Sequence, residues 1–159
     1  MCLHLDCCVI ADCVHTAAVT SPELIPALQL GTGILSYLRW YRFTGSTDSR
    51  TLQLACGMAD FLLANAFTPS SYRAYPSFPM SSGINLALPM DCAAQLDIVF
   101  GCKTIEPDKG AIVGHALLDL FATVKNATYR DTAIRIASTL VKNMDTSAGA
   151  DHSPWPFRV

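Results

Sequence analysis

IEPDKGAIVGHALLDLF, residues 105–121, begins with two acids, a proline and a lysine and continues as an apolar run. Proline and acidic residues favour the first turn of a helix, where backbone N–H groups lack partners and the helix dipole attracts negative charge. The apolar residues of the run recur at the spacing of one helix face, so the stretch predicts an α-helix. They are Ile112, Val113, Ala116, Leu117, Leu120 and Phe121.

The chain after this helix predicts a second one. A short polar turn, VKNATY at 124–129, leads into RDTAIRIASTLVKNM at 130–144. The apolar residues of that stretch again follow helical spacing. They are Ala133, Ile136, Ala137 and Leu140. Because a short connection favours antiparallel neighbours, residues 107–145 are predicted to form a helical hairpin.

The same order of segments occurs earlier in the chain. SPELIPALQLGTGILSYLRWYRF, residues 21–43, opens with Ser21 as a predicted cap and has apolar residues at helical spacing. Its Gly31 and Gly33 indicate a place where another backbone or a ligand comes close. The turn TGSTDS and the helical pattern RTLQLACGMADFLLANAF follow, so residues 21–66 are predicted to form the first hairpin.

The two predicted hairpins resemble each other. Four residues of the first recur 78 positions later in the second: Ala55, Ala59, Leu62 and Asn65 match Ala133, Ala137, Leu140 and Asn143. A long loop with an aromatic-proline pair follows each hairpin, over 67–104 and 145–159. The pattern therefore predicts an all-α repeat of antiparallel hairpins over 21–159, with short loops at one end and long loops at the other.

Two segments carry less information. Residues 1–20 hold four of the seven cysteines and two histidines, but no CxxC pair or His-x3–5-His spacing, so we predict an apolar arm without a metal site. Residues 84–104 contain Asp91, a possible helix cap, and the strand-like LDIVFGC. A short helix is favoured there, and a strand remains the alternative.

Composition excludes several classes of function. The chain has 159 residues, of which 51% are hydrophobic and 15% charged, and a net charge of -2. It lacks the basic cluster that nucleic-acid binding requires, and no apolar run approaches the ~20 residues that span a bilayer. Neither nucleic acid nor a membrane is therefore an expected partner. The start of the chain lacks the positive n-region of a signal peptide, and the compartment stays undetermined.

YRFTGSTDSRTLQLACGMADFLLAN and LLDLFATVKNATYRDTAIRIASTLVKN resemble the helical hairpins of six-hairpin glycosidase-like (α/α) toroids. SPWPFRV, at 153–159, is similar to the long-loop element that follows such a helix. The resemblance implies nested inner and outer rings of helices, with the long loops of one rim around a carbohydrate cleft. A toroid needs about six hairpins, so we expect a fragment or an incomplete copy with exposed helix faces that could self-associate.

The resemblance also implies where chemistry would lie. Glycoside cleavage uses paired carboxylates, and lyases and epimerases use a base beside a sugar carbon. At the long-loop end the catalytic candidates are Glu106 and Asp108, which have helix capping as an alternative role. His115 is a third candidate, because Asp119 shares its helix face and could orient the imidazole. The favoured alternative is that Asp119 only marks the polar side of the helix.

Sugar binding is assigned to aromatic and basic residues near the same end. Aromatic side chains can stack on sugar rings or pack a loop onto helix ends, and both readings stay open. Basic side chains could hold a uronate carboxylate, with a surface ion pair as the alternative. The candidates are Tyr75, Trp155, Lys109, Arg73 and Arg158.

Two functions follow from these patterns. The first is glycan binding or processing by acid/base chemistry, without a cofactor, in a glycoside hydrolase, lyase or epimerase-like protein. The second is a non-catalytic α-helical repeat that binds a protein partner. No P-loop, GxSxG, HExxH or dinucleotide signature adds a third possibility.

Overall fold

A computed structural model of the chain describes residues 26–72, 75–81, 105–147, 149 and 153–155. The described residues form four α-helices and no strand, which confirms the all-α prediction. The first hairpin, hairpin 1, consists of α1 (Pro26–Phe43) and α2 (Ser49–Asn65). Hairpin 2 consists of α3 (Pro107–Val124) and α4 (Ala127–Lys142). The predicted cap at Ser21, the arm at 1–20 and the segment 84–104 lie outside the described residues.

Local chemistry sets the short turns. Asp48 caps α2, and its carboxylate accepts the backbone N–H of Thr51 at 3.2 Å. The turn of hairpin 2 is shorter than predicted, because only Lys125 and Asn126 separate the helices. Lys125 takes the left-handed conformation, with φ of 61°, and the Asn126 side chain accepts the N–H of Thr128 at 3.0 Å. The helix α4 thus begins at its asparagine cap, three residues before the predicted start.

The first helices of the two hairpins pack side by side and run parallel. The helix α1 contacts both α2 and α3, and α3 contacts both α1 and α4. At one end, Ala27 donates its N–H to the carbonyl of Met80 at 3.2 Å, and Glu106 donates its N–H to Ser81 Oγ at 3.3 Å. Adjacent loop residues therefore bind the starts of α1 and α3. At the other end, Arg42 near the end of α1 pairs with Asp119 of α3.

The second helices lie on the same side of this pair. The hydroxyl of Tyr129, at the start of α4, donates to Asp60 Oδ1 of α2 at 2.7 Å. The described chain therefore has two layers, with α1 and α3 in one and α2 and α4 in the other. The described parts of the long loops, 66–81 and 143–155 in part, lie at one end of these layers.

Equivalent contacts show that the hairpins are structural repeats. A Cβ on Gly33 would lie 3.0 Å from Met58 Sδ, and one on Gly114 would lie 3.4 Å from Ile136 Cγ2. Gly114 follows Gly33 by 81 residues, and Ile136 follows Met58 by 78, because the turn of hairpin 2 is three residues shorter. The asparagines behave alike as well. Asn65 and Asn143 each donate a side-chain N–H to the carbonyl four residues earlier, at 2.9 and 2.8 Å.

The core lies between the two layers, and small residues set the spacing of α1 and α3. A Cβ on Gly31 would lie 3.0 Å from Ile112 Cγ2 and 3.4 Å from the backbone N of Val113, so the predicted close approach at Gly31 is to a neighbouring helix. Ala137, predicted to face the core, is exposed. Compared with the predicted apolar stripe, the buried side of α4 is shifted around the helix toward hairpin 1. It consists of Tyr129, Thr132, Ala133, Ile136 and Thr139.

No helix of the described segments is long and apolar enough to cross a membrane.

Candidate functional site

The loop at 66–81 is held by its own backbone and by one threonine. Phe67 and Pro79 form an isolated antiparallel bridge, and Met80 donates its N–H to the carbonyl of Ala66 at 2.8 Å. The buried hydroxyl of Thr68 donates to the carbonyl of Tyr75 at 2.5 Å and accepts the N–H of Phe78 at 2.9 Å. These bonds fix Tyr75 and Phe78 in place.

Both aromatic residues point inward. Phe78 is fully buried against Gly110 in the first turn of α3, where a Cβ would lie 2.2 Å from its Cζ. Tyr75 is 2% exposed and meets Phe78 edge to face, with ring centroids 5.1 Å apart. Stacking on a sugar needs an open ring face, and the ring of Tyr75 instead packs its loop onto the helix end. Of the two roles that the sequence leaves open for Tyr75, stacking on a sugar and packing the loop, the geometry supports packing.

The hydroxyl of Tyr75 is buried and finds no hydrogen-bond partner among the described residues. Burial raises the pKa of Tyr75 above its ordinary value, because the phenolate is poorly solvated there. A buried polar group that lacks a partner costs stability, so such a group is often a sign of function.

Glu106 occupies the cap position before α3 and is 3% exposed. Its carbonyl accepts the N–H groups of Lys109 and Gly110, at 3.0 and 3.1 Å, while its side chain makes no capping hydrogen bond. The carboxylate is therefore not the cap acceptor considered from the sequence. It is a buried acid at the start of a helix.

Asp108 and Lys109 form a local ion pair, with a distance of 2.5 Å between Nζ and Oδ2. The side chain of Asp108 is 60% exposed and that of Lys109 is 19% exposed. The hydrogen bond from Lys109 to Asp108 raises the pKa of the lysine, and the charges of Asp108 and Glu106 raise it further. Asp108 thus lies on the surface, whereas Glu106 behind it is enclosed.

Trp155 ties the second long loop to the end of α4. Its indole N–H donates to the carbonyl of Leu140 at 2.9 Å, and its ring is half-buried. Asp145 closes this loop by donating its N–H to the carbonyl of Pro154 at 2.7 Å. Trp155 therefore belongs to the same end of the structure as Tyr75 and Glu106. Arg73 and Arg158 lie outside the described residues.

His115 lies away from this end, exposed on α3 about two turns into the helix. Asp119, on the same helix face, pairs with Arg42, which donates to both oxygens of its carboxylate, at 3.0 and 2.5 Å. The position in α1 that corresponds to His115 is Ile34, which is fully buried between the hairpins. His115 thus occupies a helix-packing position of the repeat and not a loop-end site.

The long-loop end carries five predicted residues: Tyr75, Glu106, Asp108, Lys109 and Trp155. Sequence reasoning missed two residues that help to assemble this end, Ser81 and Gly110. A glycine in the first turn of a predicted helix was the available signal for Gly110, because such a residue permits close approach of another group.

A buried acid, a buried phenol and a partly enclosed lysine can supply proton transfer and hold an anionic group. The described residues contain no group of three or more histidine, cysteine, aspartate or glutamate side chains that could hold a metal ion. A comparison of the chain with known protein families, with curated proteins and with solved structures finds no match in any of the three.

Proposed function

We propose that the chain is a sector of an (α/α)-toroid-like protein that binds or processes a carbohydrate at its long-loop end. The observation that carries this proposal is the repeat of hairpins with equivalent contacts at Gly33 and Gly114. The parallel first helices form one layer, and the long loops gather at one end. This is the arrangement that the resemblance of the hairpin sequences implies.

Within that site we assign acid/base chemistry to Glu106 and anion binding to Lys109. A buried carboxylate is a suitable general acid or base, because it can exchange a proton with a sugar from which water is excluded. Lys109 could hold a uronate carboxylate in place of its surface partner Asp108. Access to Glu106 requires its surroundings to move, since this residue is only 3% exposed.

The proposal is tested by NMR titration with a uronate-containing oligosaccharide and with a neutral oligosaccharide of equal length. We expect saturable shifts at the long-loop end. Lys109→Met should weaken binding of the uronate about tenfold, as expected for loss of one charge-assisted hydrogen bond, and leave the neutral sugar unaffected. Lys125→Met, at the other end of the same helix, is the matched control and should change neither. Absence of saturable shifts with both sugars would overturn the proposal.

Catalysis needs a separate measurement. We expect the chain alone to bind without turnover, because two hairpins supply only part of a toroid cleft. Measurable turnover of the uronate oligosaccharide would contradict this expectation, and its loss in Glu106→Gln, with Asp108→Asn active, would assign the acid.

A second function, a non-catalytic α-helical repeat that binds a protein partner, is favoured by one observation. The helix α4 carries large apolar side chains on its solvent side, including Ile134 and Val141, which are 54% and 67% exposed. Exposed apolar patches typically mark protein-binding surfaces. The same titration separates the two functions, since a partner-binding repeat gives no sugar-dependent shifts around Lys109.

A further inference from the structure

The short turn of hairpin 2 carries a sequence pattern that the long-loop end does not use. Asn126, Ala127 and Thr128 form Asn-X-Thr, in which X is not proline. This pattern is the acceptor sequence for N-linked glycosylation. The other asparagines of the chain are not followed two residues later by serine or threonine. They are Asn65, Asn85 and Asn143.

The fold places this acceptor at the tip of a hairpin. Lys125 and Asn126 are the two residues between α3 and α4, and Ala127 begins α4. Asn126 is half-buried, whereas Ala127 and Thr128 are exposed. Such a location suits the modification, because an attached oligosaccharide is bulky and must lie in solvent.

The side chain of Asn126 uses one of its two polar atoms for the fold and leaves the other available. Its Oδ1 accepts the backbone N–H of Thr128 at 3.0 Å and so caps α4. Its Nδ2 makes no hydrogen bond within the part of the chain that the structure describes, and solvent reaches this atom. An N-linked sugar is attached to Nδ2 and leaves Oδ1 as an acceptor, so the cap and the sugar are compatible.

The corresponding turn of hairpin 1 shows that capping alone does not require an asparagine. There Asp48 caps α2 and accepts the N–H of Thr51 at 3.2 Å. Aspartate and asparagine cap helices about equally well, but only asparagine has the amide nitrogen to which a sugar is attached. The two turns therefore share a capping role, and they differ in the ability to carry a glycan.

We propose that Asn126 is an N-glycosylation site and that its oligosaccharide projects from the short-turn end of hairpin 2. In the transfer, Nδ2 forms a bond to the anomeric carbon of a lipid-linked oligosaccharide, and the bond from that carbon to the lipid diphosphate breaks. The lipid diphosphate leaves with the electrons of the broken bond, and one amide proton is released. The 18 residues of α3 separate this point from Glu106 by roughly 27 Å, from the rise of the helix. The attached sugar therefore leaves the long-loop end open, and the proposal holds whether or not that end binds a glycan.

The experiment sends the full chain, behind a secretion leader, through the secretory pathway of a eukaryotic host cell. A second acceptor, Asn-Gly-Thr, is appended after Val159 and reports that the chain has met the transferase. Intact mass is measured before and after a peptide-N-glycosidase removes each glycan and converts its asparagine to aspartate. We expect two glycans, one on the appended acceptor and one on Asn126. Thr128→Val removes the hydroxyl that the acceptor pattern needs but keeps the N–H that caps α4, so it should retain only the appended glycan. Thr128→Ser is the matched control and should retain both.

A second measurement tests whether the sugar and the cap coexist. Enzymatic removal of the glycan leaves an aspartate at position 126, which caps a helix as well as asparagine does. The Tm of the glycosylated chain should therefore lie within about 3 °C of the Tm after removal.

Each outcome decides the proposal. Two glycans in the wild-type chain and in Thr128→Ser, one in Thr128→Val, and nearly equal Tm values with and without the sugar support it. A glycan on the appended acceptor alone in the wild-type chain overturns it, and so does a second glycan that persists in Thr128→Val. A glycosylated chain whose Tm is lower than that limit would show that the sugar breaks the cap, and this result also overturns the proposal.

Discussion

Replacing Gly110 by alanine is the most direct test of how the long loop is held on α3. A Cβ at this position would lie 2.2 Å from Cζ and 2.3 Å from Cε1 of Phe78, both far inside van der Waals contact. Phe78 is fully buried, so its ring cannot turn into solvent without giving up its packing. Gly114, one turn later in α3, is the matched control, because its Cβ would meet Ile136 at an ordinary 3.4 Å.

Two opposing effects set the magnitude. Alanine stabilises a helix interior by about 1 kcal/mol relative to glycine, and the benefit is smaller near the helix start. Forcing an extra methyl group into a packed core costs about 1–3 kcal/mol. Gly110→Ala should therefore lower the free energy of unfolding by about 1–2 kcal/mol, whereas Gly114→Ala should raise it by up to about 1 kcal/mol. For a chain of this length, each kcal/mol shifts Tm by about 2–4 °C.

Urea unfolding followed by far-UV circular dichroism measures both values. The double variant Gly110→Ala with Phe78→Ala separates the clash from other effects, because it removes the ring that the new methyl group would meet. In the Phe78→Ala background, Gly110→Ala should become neutral or stabilising. If Gly110→Ala stabilises the otherwise unchanged chain as much as Gly114→Ala does, Phe78 does not pack against the first turn of α3 and the reasoning fails.

Three further predictions follow from polar contacts. Asp119→Asn weakens the paired hydrogen bonds with Arg42 and should lower the free energy of unfolding, measured in urea, by about 0.5–1 kcal/mol. High salt should diminish this difference, because both side chains are partly exposed. The hydroxyl and N–H of Thr51 lower the pKa of Asp48 below 3.8, so the contribution of Asp48 to stability is present above about pH 4 and is lost as pH falls through the folded pKa. Asp48→Ala should therefore lower Tm at neutral pH and make Tm depend less on pH in the acid range. An unchanged acid dependence of Tm would contradict this. Burial raises the pKa of Tyr75 above 10.0, so the free energy of unfolding is unaffected by this group below about pH 10 and falls above it, as the phenol ionises in the unfolded chain. Tyr75→Phe should reduce this loss of stability at alkaline pH. An equal loss in the variant would refute the assignment.

The helices could be predicted because each depends on the spacing of apolar residues within its own stretch of sequence. The apolar spacing of α1 to α3 identifies the faces that the structure buries, including Ile34 and Leu117. The apolar stripe predicts a start of α4 three residues too late, because the cap Asn126 lies before the stripe begins. The apolar spacing of α4 assigns Ala137 to the core, yet among the described residues only hairpin 1 has a neighbouring hairpin on that side.

The candidate site depended on contacts between distant parts of the chain. The loop aromatics were equally compatible with stacking and with packing, and the burial of Tyr75 is set by the space that Gly110 leaves for Phe78. Asp119 was matched to His115 because they share a helix face. Its partner Arg42 lies 77 residues earlier, and no local pattern indicates that pair.

The unequal turns show where this architecture tolerates changes of length. Five residues join the helices of hairpin 1 and two join those of hairpin 2, yet the glycine contacts beyond them are equivalent. The longer turn is exposed at Gly45 and Ser46, which both have positive φ, and a Cβ on Gly45 would meet nothing within 4 Å. A peptide or a reporter domain could be inserted between these two residues without disturbing the layers. The loop end offers no such freedom, since the carbonyl of Met80 and the hydroxyl of Ser81 hold the starts of two helices.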